Sequence, residues 1–168
     1  MFEVLFQLRE AVEARSQATL ARYPDWPCRK GCDHCCRSLA QWPELSTFEW
    51  KQIETGLRAL PAEVRAKVEE RRTARPAGPP YPCPYLDAAA GACLIYEHRP
   101  IACRAYGFYV DDRGMGLYCG IIREKVEAGE LDAVVWGNHA ALEARVEATL
   151  GPPSPEAEPR VLVIGARV

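Results

Sequence analysis

The chain has 168 residues, 48% apolar and 26% charged, with a formal net charge of −2. Those are the proportions of an ordinary globular protein able to bury a core without disulfide staples, and the charge gives no general attraction to nucleic acid or an anionic membrane. No stretch approaches the roughly 18 apolar residues of a membrane span, and an N-terminus carrying Glu3, Arg9 and Glu10 makes a poor signal peptide. A cytoplasmic location, where thiols stay reduced, is the expectation.

The first segment, Phe2 to about Arg22, places Leu5, Leu8 and Val12 at spacings of three and four and predicts an amphipathic helix, which Pro24 and Pro27 end. Ser46-x-x-Glu49 is a capping box and predicts a second helix over Thr47–Ala59. Pro61 suits the first turn of a third helix reaching about Arg72, with Lys67, Glu69, Glu70, Arg71 and Arg72 forming a solvated face. Residues 75–84 hold five prolines and Gly78 and read as an extended connector. Cys93–Tyr96 reads as a short strand or turn, and Pro100 opens a short helix that carries Cys103. A hairpin is expected over Gly107–Tyr118, followed by helices over Cys119–Ala128 and Asp132–Leu150. Leu131, Val135, Leu142, Val146 and Leu150 mark the buried stripe of the last helix. The expected fold is mainly α: a small single-domain helical fold with irregular cysteine-rich loops and a short β-hairpin around a metal centre. That domain covers residues 1–151, with its motif core at 28–119. Residues 152–168 form a Pro-rich linker and an apolar tail, Val161–Ile164.

Eight cysteines dominate the chemistry. Cys28, Cys32, Cys35 and Cys36 read C-x3-C-x2-C-C, and Cys83, Cys93, Cys103 and Cys119 follow at wide intervals. All eight are the candidate metal ligands. Zinc asks for four ligands around one ion, commonly from paired CxxC knuckles, and only Cys32–Cys35 has that spacing. An iron–sulfur centre takes thiolates from a tight loop and completes itself with remote cysteines. Cys83-Pro84 resembles the end of a ferredoxin ligand run, and neighbouring Cys35 and Cys36 point apart in any extended backbone, which is awkward for one tetrahedral ion. The balance tips slightly to iron. Four disulfides are the third reading, kept open by an arginine-rich composition (17 arginines to 4 lysines) that leans thermophilic.

Arg29, Lys30, Arg37, Arg99 and Arg104 lie close to cysteines and can lower thiol pKa values or donate to sulfur. The alternative for each is a solvated surface residue. His34, inside the ligand loop, reads as a solvent-facing spacer before a replacement ligand, and His139 reads as a hydrogen-bonded core histidine. Tyr96, Tyr106 and Tyr118 each fall within three residues of a cysteine and are expected to wall the site from water. The C-x3-C-x2-C spacing also occurs in radical S-adenosylmethionine enzymes, but here it follows a helix, in a chain without βα alternation.

The run Cys28-x3-Cys32-x2-Cys35-Cys36, then Cys83-Pro84-Tyr85-Leu86, then Cys93-x-Ile95-Tyr96-x-x-Arg99-Pro100-x-x-Cys103-Arg104-x-Tyr106, resembles the YkgJ-like cysteine-cluster family. Gly107 departs from that pattern, which has proline after the aromatic residue. The resemblance implies zinc or iron chelation by the eight cysteines and names no catalytic residue. Similar clusters occur in flagellin lysine N-methylase. Three functions follow as expectations: a metal-binding protein with a structural or electron-transfer centre, an Fe–S-dependent enzyme such as a protein-lysine N-methylating one, and a metal donor or storage protein.

Overall fold

The computed structural model describes residues 2–40, 42–74, 78–111, 113 and 116–153. In chain order its elements are α1 (Phe2–Arg22), α2 (His34–Arg37), α3 (Thr47–Arg58), α4 (Ala62–Thr73), β1 (Leu86–Asp87), β2 (Ala92–Cys93), a 3-10 turn (Tyr96–His98), α5 (Ile101–Ala105), β3 (Tyr109–Val110), α6 (Gly120–Glu127), β4 (Gly137–Asn138) and α7 (His139–Leu150). The fold is mainly helical, as expected. Among the described residues, no helix is long and apolar enough to cross a membrane. Two compact units are formed, Met1–Arg29 with Ile101–Pro152, and Lys30–Pro100.

In the first unit, the inward face of α1 follows its sequence spacing: Leu5, Leu8 and Val12 are buried, and the stripe continues through Ser16 and Thr19. Each hydroxyl donates to a carbonyl one turn back, Ser16 to Val12 at 3.0 Å and Thr19 to Arg15 at 3.2 Å. Burying them therefore strands no donor. α1 packs on α5 and α7, and Arg104 of α5, only 7% exposed, pairs with Glu13 of α1 at 3.3 Å. An aromatic group completes this core. Trp26 stacks on Phe108 at 6.0 Å between ring centroids and meets Tyr23 and Trp136 at 5.9 and 5.5 Å.

One expectation in this unit holds over the described residues, and another needs correction. The hairpin over Gly107–Tyr118 forms: Gly107 donates to the Leu117 carbonyl, Leu117 donates to that of Tyr109, and Val110 bridges Gly116. Asp112, Gly114 and Met115 of its turn lie outside the described residues. The same strand also pairs in parallel with Gly137–Asn138, so the last helix begins at His139 and not at Asp132. Two local causes fix that start. A Cβ on Gly137 would come within 2.4 Å of the Tyr109 ring, and Asn138 caps α7 by accepting from the Ala141 N–H at 2.9 Å. Val135, placed by the sequence on the buried stripe, is consequently 74% exposed. Leu131 and Leu150 are buried, and Leu142 and Val146 half-buried.

The second unit packs Leu45, Ile53, Leu57, Val68 and Ile95 into one cluster. The capping box is complete: Ser46 Oγ accepts from the Glu49 N–H at 3.3 Å, while the Glu49 carboxylate accepts from the Ser46 N–H at 3.0 Å and hydroxyl at 2.9 Å. Pro61 sits one position earlier than expected, as the N-cap of α4. Nor is the charged face of α4 wholly solvated. Arg72 lies over the Trp50 ring at 4.6 Å, and Arg71 donates to the Leu86 carbonyl. An unforeseen antiparallel hairpin joins Leu86 to Cys93 and Asp87 to Ala92. Its turn is held by the Asp87 carboxylate, which accepts from the N–H groups of Ala89 and Ala90. The apolar tail Val161–Ile164 lies outside the described residues.

Candidate metal centre

Five of the eight cysteines belong to the second unit and three to the first. All eight are half-buried and none is in a disulfide, which removes the cystine reading.

In the second unit, a single helical turn does most of the positioning. Asp33 precedes α2 and pairs with Arg37 across it at 2.6 Å. Its carbonyl accepts from the Arg37 N–H at 3.1 Å, and Ser38 donates to the Cys35 carbonyl at 3.2 Å. The backbone at Cys35-Cys36 is thus coiled, not extended. Consecutive side chains on a helix diverge by about 100°, where those on a strand oppose one another. Cys35 and Cys36 accordingly hold their sulfurs 3.9 Å apart. The expectation that they point apart is overturned, and with it one ground for preferring iron.

Cys83 arrives through backbone pairing. Leu39 and Tyr81 exchange N–H···O bonds at 2.9 and 2.8 Å, and the Cys83 N–H then donates to the Cys36 carbonyl at 2.7 Å. The bridge draws the proline-rich connector alongside α2. Hydrogen bonds from the Cys35 and Cys83 thiols bring the Cys36 pKa down from the ordinary 9.0 to about 3; the positive charge of Arg99 helps, while burial and Asp33 oppose. These contacts favour the thiolate at Cys36, the form that binds metal. Cys93, on β2, packs against the apolar cluster. Cys32 lies just before α2, and His34 is solvent-exposed, as its reading as a spacer required.

In the first unit, the Cys28 thiol donates to the Tyr106 carbonyl at 3.3 Å. Gly107 follows with φ +88°, and a Cβ there would stand 2.8 Å from the Cys28 sulfur. Proline, fixed near φ −65°, cannot adopt that backbone. The glycine that departs from the family pattern is thus what lets the chain lie against Cys28. Cys103 is carried by α5, and Cys119 is the N-cap of α6.

The cations near the cysteines have definite partners. Arg99 lies over the Tyr96 ring at 3.5 Å and donates to the Tyr96 carbonyl, and Lys30 lies 4.9 Å from the same ring. Arg29 donates to the Trp26 carbonyl, Arg37 to that of Ala88, and Arg104 binds Glu13. Tyr96, Tyr106 and Tyr118 are half-buried, with Tyr118 stacked on Trp136 at 5.4 Å. Sequence reasoning missed Asp33, whose signal was its place four residues before Arg37. It also missed the Leu39–Tyr81 bridge, for which no local signal exists.

Among the described residues, no three His, Cys, Asp or Glu side chains stand at the mutual spacing of a metal ion's ligands. The Cys35–Cys36 pair nevertheless fits one edge of such a set. With Zn–S bonds of about 2.3 Å, a tetrahedral ion holds its sulfurs about 3.8 Å apart.

Residues 27–131 match the CxxCxxCC family, described as "Putative zinc- or iron-chelating domain". The chain belongs to this family. Its general chemistry is metal binding, and the match spans all eight cysteines. No curated protein and no solved structure matches the chain.

Proposed function

We propose that this protein uses its cysteine thiolates to hold zinc or an iron–sulfur cluster in a structural or electron-transfer role in the cytoplasm. The candidate ligands are Cys28, Cys32, Cys35, Cys36, Cys83, Cys93, Cys103 and Cys119, serving one centre or more. The observation that carries this reading is the Cys35–Cys36 pair, whose sulfurs stand 3.9 Å apart on one helical turn, with the Cys83 backbone hydrogen-bonded alongside. It lies inside the segment that places the chain in a chelating family. Bound zinc would fix the loops that present the thiolates; an iron–sulfur cluster would add one-electron chemistry. The chain itself supplies half-buried sulfur, a cation pinned on Tyr96 and backbone hydrogen bonds that hold α2 in shape.

Half-burial of every cysteine favours a centre that is retained over one donated to a partner. Purification without oxygen, followed by metal analysis and a visible spectrum, tests the reading. Brown protein containing iron and acid-labile sulfide assigns a cluster, whereas colourless protein with stoichiometric zinc assigns zinc. Protein that carries neither metal, and takes up neither after reduction of its thiols, refutes the proposal.

A further inference from the structure

We infer that Cys35 and Cys36, although adjacent in sequence, bind the same metal ion. This rests on the metal-binding reading above and deepens it by grouping two ligands that spacing alone leaves unassigned. The sulfurs stand 3.9 Å apart. That is far beyond the roughly 2.05 Å of a disulfide, and close to the separation of about 3.8 Å on one edge of a tetrahedral thiolate site. The pair needs almost no rearrangement to accept an ion.

The backbone also fixes the pair before any ion arrives. Ser38 holds the Cys35 carbonyl at 3.2 Å, Cys83 holds the Cys36 carbonyl at 2.7 Å, and the Asp33–Arg37 ion pair closes the turn at 2.6 Å. Uncoiling α2 would break these bonds, so the Cβ atoms of the two cysteines stay on adjacent sides of one turn. Sites held by their surroundings in this way lose little entropy on binding.

The grouping restricts the kind of centre. Four cysteines shared between two irons give two thiolates per iron, and shared among four irons give one per iron. A same-ion pair therefore suits a tetrahedral zinc ion or a two-iron cluster and conflicts with a four-iron cluster that uses both residues.

The test uses the 168-residue chain, stripped of metal, reduced and loaded with cadmium-113. Proton–cadmium correlation spectra should connect the β-protons of both Cys35 and Cys36 to a single cadmium resonance. Cys35→Ser and Cys36→Ser should each shift or abolish that same resonance. Correlation of the two residues with different resonances, or of only one with any resonance, overturns the grouping while leaving metal binding intact. Failure to take up cadmium at all overturns the metal-binding reading and the grouping with it.

Discussion

Gly107 shows how one residue can carry a constraint that its neighbours in sequence do not reveal. Its φ of +88° lies in the region that side chains avoid, and the space a Cβ would fill is taken by the sulfur of Cys28. Gly107→Ala therefore meets both backbone strain and a clash, and should destabilise the protein by about 1–3 kcal/mol, read from urea unfolding. His139 gives a second expectation at this scale. Burial lowers its pKa below the ordinary imidazole value, although Glu143 at 3.3 Å and Asp111 pull upward. The unfolded chain then takes up a proton more readily than the folded one. Stability from this residue is full above about pH 6.5 and is lost as pH falls through the lower folded value. Unfolding measured on either side of that pH should show the slope, and His139→Gln should flatten it.

Among the elements, those whose signals are local were legible. α1 follows its own apolar spacing, and α3 begins where Ser46 and Glu49 cap it reciprocally. Ser46→Ala should cost about 1 kcal/mol, seen as a lower urea midpoint with an unchanged slope. What sequence reasoning could not reach depends on partners far away in the chain. Val110 and Asn138 pair across a separation no local window spans, and that pairing shortens α7 and leaves Val135 outside. Leu39 and Tyr81 do the same for Cys83. The cysteines announced metal chemistry by type and number, but the four-residue helix that brings Cys35 and Cys36 together is too short to leave a periodic signature.

For the molecule as a whole, metal and fold are expected to be linked, because ions that bind only the folded chain add their binding energy to stability. Cys32→Ser, in the second unit, and Cys103→Ser, in the first, test the ligand set in each. Each should lower bound metal, measured by elemental analysis, and the thermal midpoint; a strong chelator should lower the midpoint of the parent protein in the same direction. A variant that keeps full metal content and full thermal stability identifies a cysteine that is not a ligand.

The first unit is assembled from chain segments on both sides of Lys30–Pro100, and this has a consequence during synthesis. Leu5, Leu8 and Val12 leave the ribosome long before their partners in α5 and α7 are made. At ordinary elongation rates α1 waits on the order of ten seconds with its oily side uncovered. A chaperone that shelters nascent apolar helices would have its best opportunity in that interval, and slower translation of the middle segment would lengthen the exposure.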